Sequence, residues 1–113
     1  MFIRTKDNIF EVVEETDLVY RVKAKTIPNK VYSKSKCQTS VIKQADTIEE
    51  LCDEFVVIDK IDKRNYIVNP LQITEKEISI FLMDGAIIYG AIWTDKGLIY
   101  VAKMNDKGEL ELL

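Results

Sequence analysis

The chain has 113 residues, 16 basic and 19 acidic, for a net charge of −3, and 47% of its residues are apolar. That length and balance fit a single domain over residues 1–113 and exclude disordered and fibrous classes. Histidine is absent and cysteine occurs twice, which removes the commonest metal ligand and the commonest general base.

The pattern alternates from the start. Phe2-Ile3-Arg4-Thr5 reads as a strand that stops at Lys6-Asp7-Asn8, and Ile9–Glu14 resumes it. Asp and Asn tolerate turn conformations, so a tight hairpin is expected there. Glu15-Thr16-Asp17 then turns the chain into Leu18–Lys23, where Leu18, Tyr20 and Val22 share one face. Residues 25–40 are polar, carry the turn signal Pro28-Asn29, and hold one short strand at Lys30-Val31-Tyr32. A further strand is expected at Ser40–Lys43.

Thr47-Ile48-Glu49-Glu50 has the form of a capping box, and Ile48, Leu51, Cys52 and Phe55 follow at helical spacing. The expectation is a short helix with Glu49, Glu50, Asp53 and Glu54 on its polar face. Val56-Val57-Ile58 leaves it as a strand, and Asp62–Asn65 turns that strand into Tyr66–Val68. Thr74-Glu75-Lys76-Glu77 opens a second helix to about Met83, with Gly85 at its C-terminal stop. Ala86–Thr94, Leu98–Met104 and Glu109–Leu112 form a C-terminal β-meander, joined by the near-identical turns Asp95-Lys96-Gly97 and Asp106-Lys107-Gly108. The first hairpin resembles the Ile92–Leu98 hairpin in sequence. The expected class is α+β: an antiparallel, barrel-like sheet of seven to nine short strands with two short helices.

Catalytic and cofactor motifs are missing. The four glycines form no phosphate loop, a Ser/His/Asp or Cys/His set needs an imidazole, and paired carboxylates such as Glu49/Asp53 read as a solvated helix face. The expectation is a non-enzyme without cofactor or bound metal. No secretory h-region opens the chain, and no uncharged run approaches the roughly 20 residues of a membrane span. The expected location is the cytoplasm of a bacterial host cell, with no membrane partner and with Cys37 and Cys52 as thiols.

Charge is unevenly spread. Leu18–Ala45 holds seven basic residues and no acid, whereas Asp46–Lys63 holds seven acids against two lysines. In the plain reading these blocks neutralise each other. In one functional reading the acidic helix, through Glu49, Glu50, Asp53 and Glu54, docks on a basic protein surface, with Tyr89 and Trp93 as an aromatic anchor. In the other, the basic segment 21–43 tracks a nucleic acid through Arg21, Lys23, Lys25, Lys30, Lys34 and Lys36, with Tyr20 and Tyr32 interleaved. Ile87, Tyr89, Ala91 and Trp93 alternate with Ala86, Ile88, Gly90 and Ile92, and both sets are apolar. That strand is central, or one of its faces meets a partner chain, a homodimer being one such arrangement.

The strings Met1–Val13 (MFIRTKDNIFEVV) and Val41–Phe55 (VIKQADTIEELCDEF) resemble small phage and prophage proteins of Listeria-like Gram-positive bacteria. The resemblance covers roughly the first half of the chain and carries no active-site residue. It implies an accessory protein of an infected or lysogenic cell that binds a host or phage protein. Blocking a host defence system is one form such binding takes.

Overall fold

Residues 1–24, 27 and 29–113 are described by the computed structural model, in two compact units, Met1–Leu51 and Cys52–Leu113. In the first, β1 (Phe2–Arg4), β2 (Ile9–Glu15), β3 (Val19–Lys23), β4 (Val31–Ser35) and β5 (Lys43–Ala45) form an antiparallel sheet in the order β4-β3-β2-β1-β5. Its tight turns follow from side chains that bond their own backbone. Thr5 N–H donates to the Asn8 carbonyl at 2.9 Å across Lys6-Asp7, and the Asn8 side-chain oxygen accepts from Ile9 N–H at 2.9 Å. Thr16 N–H likewise donates to the Val19 carbonyl at 2.9 Å across Asp17-Leu18. The pairing of β2 with β3 shifts between Val12 and Glu14, a bulge at the exposed Val13. Alternation gathers Ile3, Val12, Tyr20 and Val22 into one core, with Phe10 and Val41 packed against it.

The second unit holds β6 (Glu54–Ile58), β7 (Asn65–Val68), α1 (Glu75–Met83), β8 (Ile87–Thr94), β9 (Gly97–Met104) and β10 (Leu110–Leu112). Its sheet has the order β10-β9-β8-β6-β7, again antiparallel. Thr74 caps α1 by accepting from Glu77 N–H at 3.2 Å, while its hydroxyl donates to the Glu77 carboxylate at 3.1 Å. Gly85, with φ of 82°, ends the helix. Ala86 N–H returns to the Phe81 carbonyl and Gly85 N–H to that of Leu82, the paired bonds of a Schellman stop. Gly97 (φ 104°) and Gly108 (φ 81°) take left-handed conformations that close the two meander turns.

The two sequence-similar hairpins occupy equivalent places. β1-β2 and β8-β9 are each interior to their sheets, each continued by a third meander strand and flanked by β5 or β6. Both turns use a threonine hydroxyl that donates to the carbonyl three residues on, Thr5 to Asn8 at 3.3 Å and Thr94 to Gly97 at 2.9 Å.

The expected α+β class holds broadly: the chain is mostly antiparallel β, with ten strands and one short helix among the described residues. Its finer parts, a second helix and the barrel, need correction. The first expected helix does not form. Residues 48–51 make a single turn closed by Leu51 N–H on the Ile48 carbonyl at 3.0 Å, and Phe55 already lies in β6. Ile48, Leu51 and Phe55 are buried as the helical stripe required, but main-chain pairing of Asp53 and Glu54 with Ala91 takes the backbone first. The β-branched run that follows has a strand partner to extend against. The barrel is also absent: each five-stranded sheet stays open, ending in β4 and β5 or in β10 and β7. The strand expected at Ser40–Lys43 stands at Lys43–Ala45, and the one at Lys30–Tyr32 runs over Val31–Ser35. Of the Pro28-Asn29 turn, Asn29 is left-handed (φ 66°) and Pro28 lies outside the described residues.

Candidate functional site

β8 is the central strand of its sheet, one of the two arrangements its apolar alternations allowed. On one face Phe55, Val57, Ile88 and Ile92 are fully buried. The other face is built by cross-strand register. Glu54 pairs with Ala91 and Ala91 with Tyr100; Val56 pairs with Tyr89 and Trp93 with Leu98. Directly paired residues share a face, so Tyr89, Trp93 and Tyr100 stand together with Glu54 beside them. Trp93 is 53% exposed and Tyr100 42%. The Tyr89 and Tyr100 rings stack at 4.6 Å between centroids, with 8° between planes. Such a stack is worth about 0.5–1.5 kcal/mol beyond area and restrains both rings.

Asp53 anchors this face. Its carboxylate accepts from Trp93 N–H at 2.8 Å, and its own N–H donates to the Ala91 carbonyl at 2.9 Å. Asp53, Glu54 and Trp93 therefore come together at the β6–β8 junction, but as strand-end neighbours and not as a helix face plus a distant anchor. Glu49 and Glu50 belong to the terminal turn of the first unit, where the Glu50 carbonyl accepts from the Lys43 ammonium at 3.1 Å. The acidic helix surface expected from residues 49–54 does not exist, because Asp53 N–H already bonds the Ala91 carbonyl and Glu54 opens β6. Tyr100 is the residue the sequence reading missed. The structure closes the turn with Thr94 opposite Gly97, so counting outward from the two-residue loop Asp95-Lys96 pairs Trp93 with Leu98 and brings Tyr100 opposite Ala91. The three-residue turn read from the sequence would have put Tyr100 opposite Ile92.

The basic segment meets acids from an unexpected quarter. Lys23 pairs with Glu11 at 2.9 Å, Arg21 with Glu14 at 3.5 Å and Lys36 with Glu15 at 2.8 Å. All three carboxylates lie on β2, immediately before the basic block, and not in the acidic block that follows. The hydrogen bond that Lys36 donates to Glu15 outweighs the cost of desolvation and, aided by the field of Glu15, Tyr20 and Asp17, holds the Lys36 ammonium above its ordinary range. The Lys36 ammonium also sits 4.9 Å from the Tyr20 ring centroid, and that of Lys34 sits 4.3 Å from Phe10. Lys30 is exposed on the segment before β4, and Lys25 lies outside the described residues.

Among the described residues, no group of three or more Cys, Asp or Glu side chains is placed to hold a metal ion, and no helix is long and apolar enough to cross a membrane. No protein-family model, curated protein or solved structure matches the chain.

Proposed function

We propose that the chain is a non-catalytic phage or prophage accessory protein that works by binding another protein, through the aromatic face of its second sheet. One observation carries the reading: Trp93 and Tyr100 stand half exposed beside the stacked Tyr89 on the two innermost strands of the meander. Interface energy concentrates in tryptophan and tyrosine, and rings already held in place lose little side-chain entropy on contact. Glu54 on the same face supplies the polar margin such anchors usually have. The phage context rests on the resemblance of Met1–Val13 and Val41–Phe55 alone.

The nucleic-acid alternative has less support, since three of its cations are engaged by Glu11, Glu14 and Glu15. Phosphate binding would first have to displace those carboxylates.

The test compares wild type with Trp93→Ala and Tyr100→Ala as bait in a lysate of infected host cells. A partner retained by wild type and lost by both variants, with circular dichroism unchanged, is expected. A partner held equally by all three, or none held by wild type, removes the proposal. Restored plaque formation on a defended host would narrow the role to defence inhibition. Sedimentation at 13.1 kDa at every concentration would exclude a homodimer as the use of this face.

A further inference from the structure

We infer that β4 is a docking edge for an extended acidic peptide strand of a partner protein, a second surface independent of the aromatic face. β4 is a terminal strand of the first sheet and, at five residues, longer than the edge strands β5, β7 and β10. It contains neither proline nor glycine, so nothing in its backbone blocks pairing.

Parity shows which main-chain groups face outward. Ala24 N–H bonds the Lys30 carbonyl at 2.8 Å and Lys36 N–H bonds that of Leu18 at 2.9 Å. With the register of β3 on β4, residues 30, 32, 34 and 36 bond inward and Val31, Ser33 and Ser35 direct their groups outward. The Ser35 carbonyl is occupied by the amides of Gln38 and Thr39, which leaves, among the described residues, donors at 31, 33 and 35 and acceptors at 31 and 33.

Charge selects the occupant. Among the described residues, Lys30 and Lys34 flank this edge without a carboxylate partner, the Lys34 ammonium resting instead on the rings of Phe10 and Tyr32. An acidic strand would supply both missing carboxylates. A second β4 would set lysines against lysines. A phosphodiester chain offers no N–H to the carbonyls of Val31 and Ser33, whereas an extended peptide satisfies donors and acceptors alike.

The probes are a seven-residue peptide alternating Val and Glu, its Lys counterpart, the acidic peptide N-methylated at alternate residues, and single-stranded oligothymidine. Titration of the acidic peptide into full-length protein should slow amide exchange of Val31 and Ser33 by roughly tenfold or more at saturation. Lys30→Glu combined with Lys34→Glu should weaken its binding by about tenfold or more, and N-methylation, which leaves the protein untouched, should abolish it. Trp93→Ala should leave it unchanged, so this inference and the aromatic-face reading fail separately. No binding of the acidic peptide, equal binding of the Lys peptide, or binding of peptide or oligothymidine with the Val31 and Ser33 amides unprotected would overturn the assignment.

Discussion

The sulfur of Cys52 fills the space that a side chain at Gly90 would need: a Cβ built on Gly90 lies 2.7 Å from Sγ, with Leu110 and Ala102 at 3.3 and 3.4 Å. The sequence placed Cys52 on a helix. In the fold it lies against the central strand of the second sheet, where it pairs with the absence of a side chain one strand away.

Gly90→Ala is therefore expected to cost roughly 1–3 kcal/mol through overpacking. Combining it with Cys52→Ala should recover more than 0.5 kcal/mol, on the order expected for contacting residues, relative to the sum of the single changes. Urea denaturation of the four proteins measures this, and strictly additive values would refute the contact.

The bond from Trp93 N–H to Asp53 ties the start of β6 to the end of β8. Asp53→Ala should lower stability by about 1–2 kcal/mol, and Asp53→Asn, which keeps an acceptor, by less. Hydrogen exchange at the Trp93 amide reports the bond directly, and an unchanged rate in Asp53→Ala would show that it does not hold in solution.

Trp93 is the single tryptophan and half exposed. Its fluorescence should be red-shifted and readily quenched by iodide in the free protein, then blue-shift on binding a partner. Trp93→Ala should change stability by less than about 1 kcal/mol, the usual range for exposed positions. Tyr100→Ala should cost more, since it also breaks the stack with Tyr89. A buried, unquenchable tryptophan emission would contradict the exposed face.

The Lys36–Glu15 contact has a definite pH window. Glu15 raises the Lys36 pKa above the ordinary value of 10.5, so the contribution is complete below 10.5 and disappears as pH rises through the higher folded-state value. The stability difference between wild type and Lys36→Met should stay constant at neutral and mildly alkaline pH and close only beyond 10.5. NMR titration of the Lys36 side chain with a midpoint below 10.5 would contradict the contact.

Two capping boxes show how far local signals reach. Thr47–Glu50 and Thr74–Glu77 have the same form, and only the second opens a helix. After Thr74 the chain offers Ile78–Met83 and a glycine stop, with no competing strand pairing. After Thr47 it offers Phe55-Val56-Val57-Ile58, which pairs along Gly90, Tyr89, Ile88 and Ile87. A cap stabilises a helix start by about 1 kcal/mol, too little to outweigh a central strand partner. The candidate face was half legible for the same reason: Trp93 and Asp53 stood out by type, while Tyr100 became visible only through its pairing with Ala91.

By itself the sequence determined everything held by neighbours in the chain: the hairpins, their left-handed glycines, the capped α1, and the absence of imidazole chemistry. Tertiary structure alone decided how the charge was shared. Glu14 meets Arg21 because a bulge at Val13 shifts the register of β2 on β3, and a shift of one residue moves a side chain to the opposite face. That register depends on a main-chain bulge that the alternation of side chains does not announce, and no count of charges along the chain contains it.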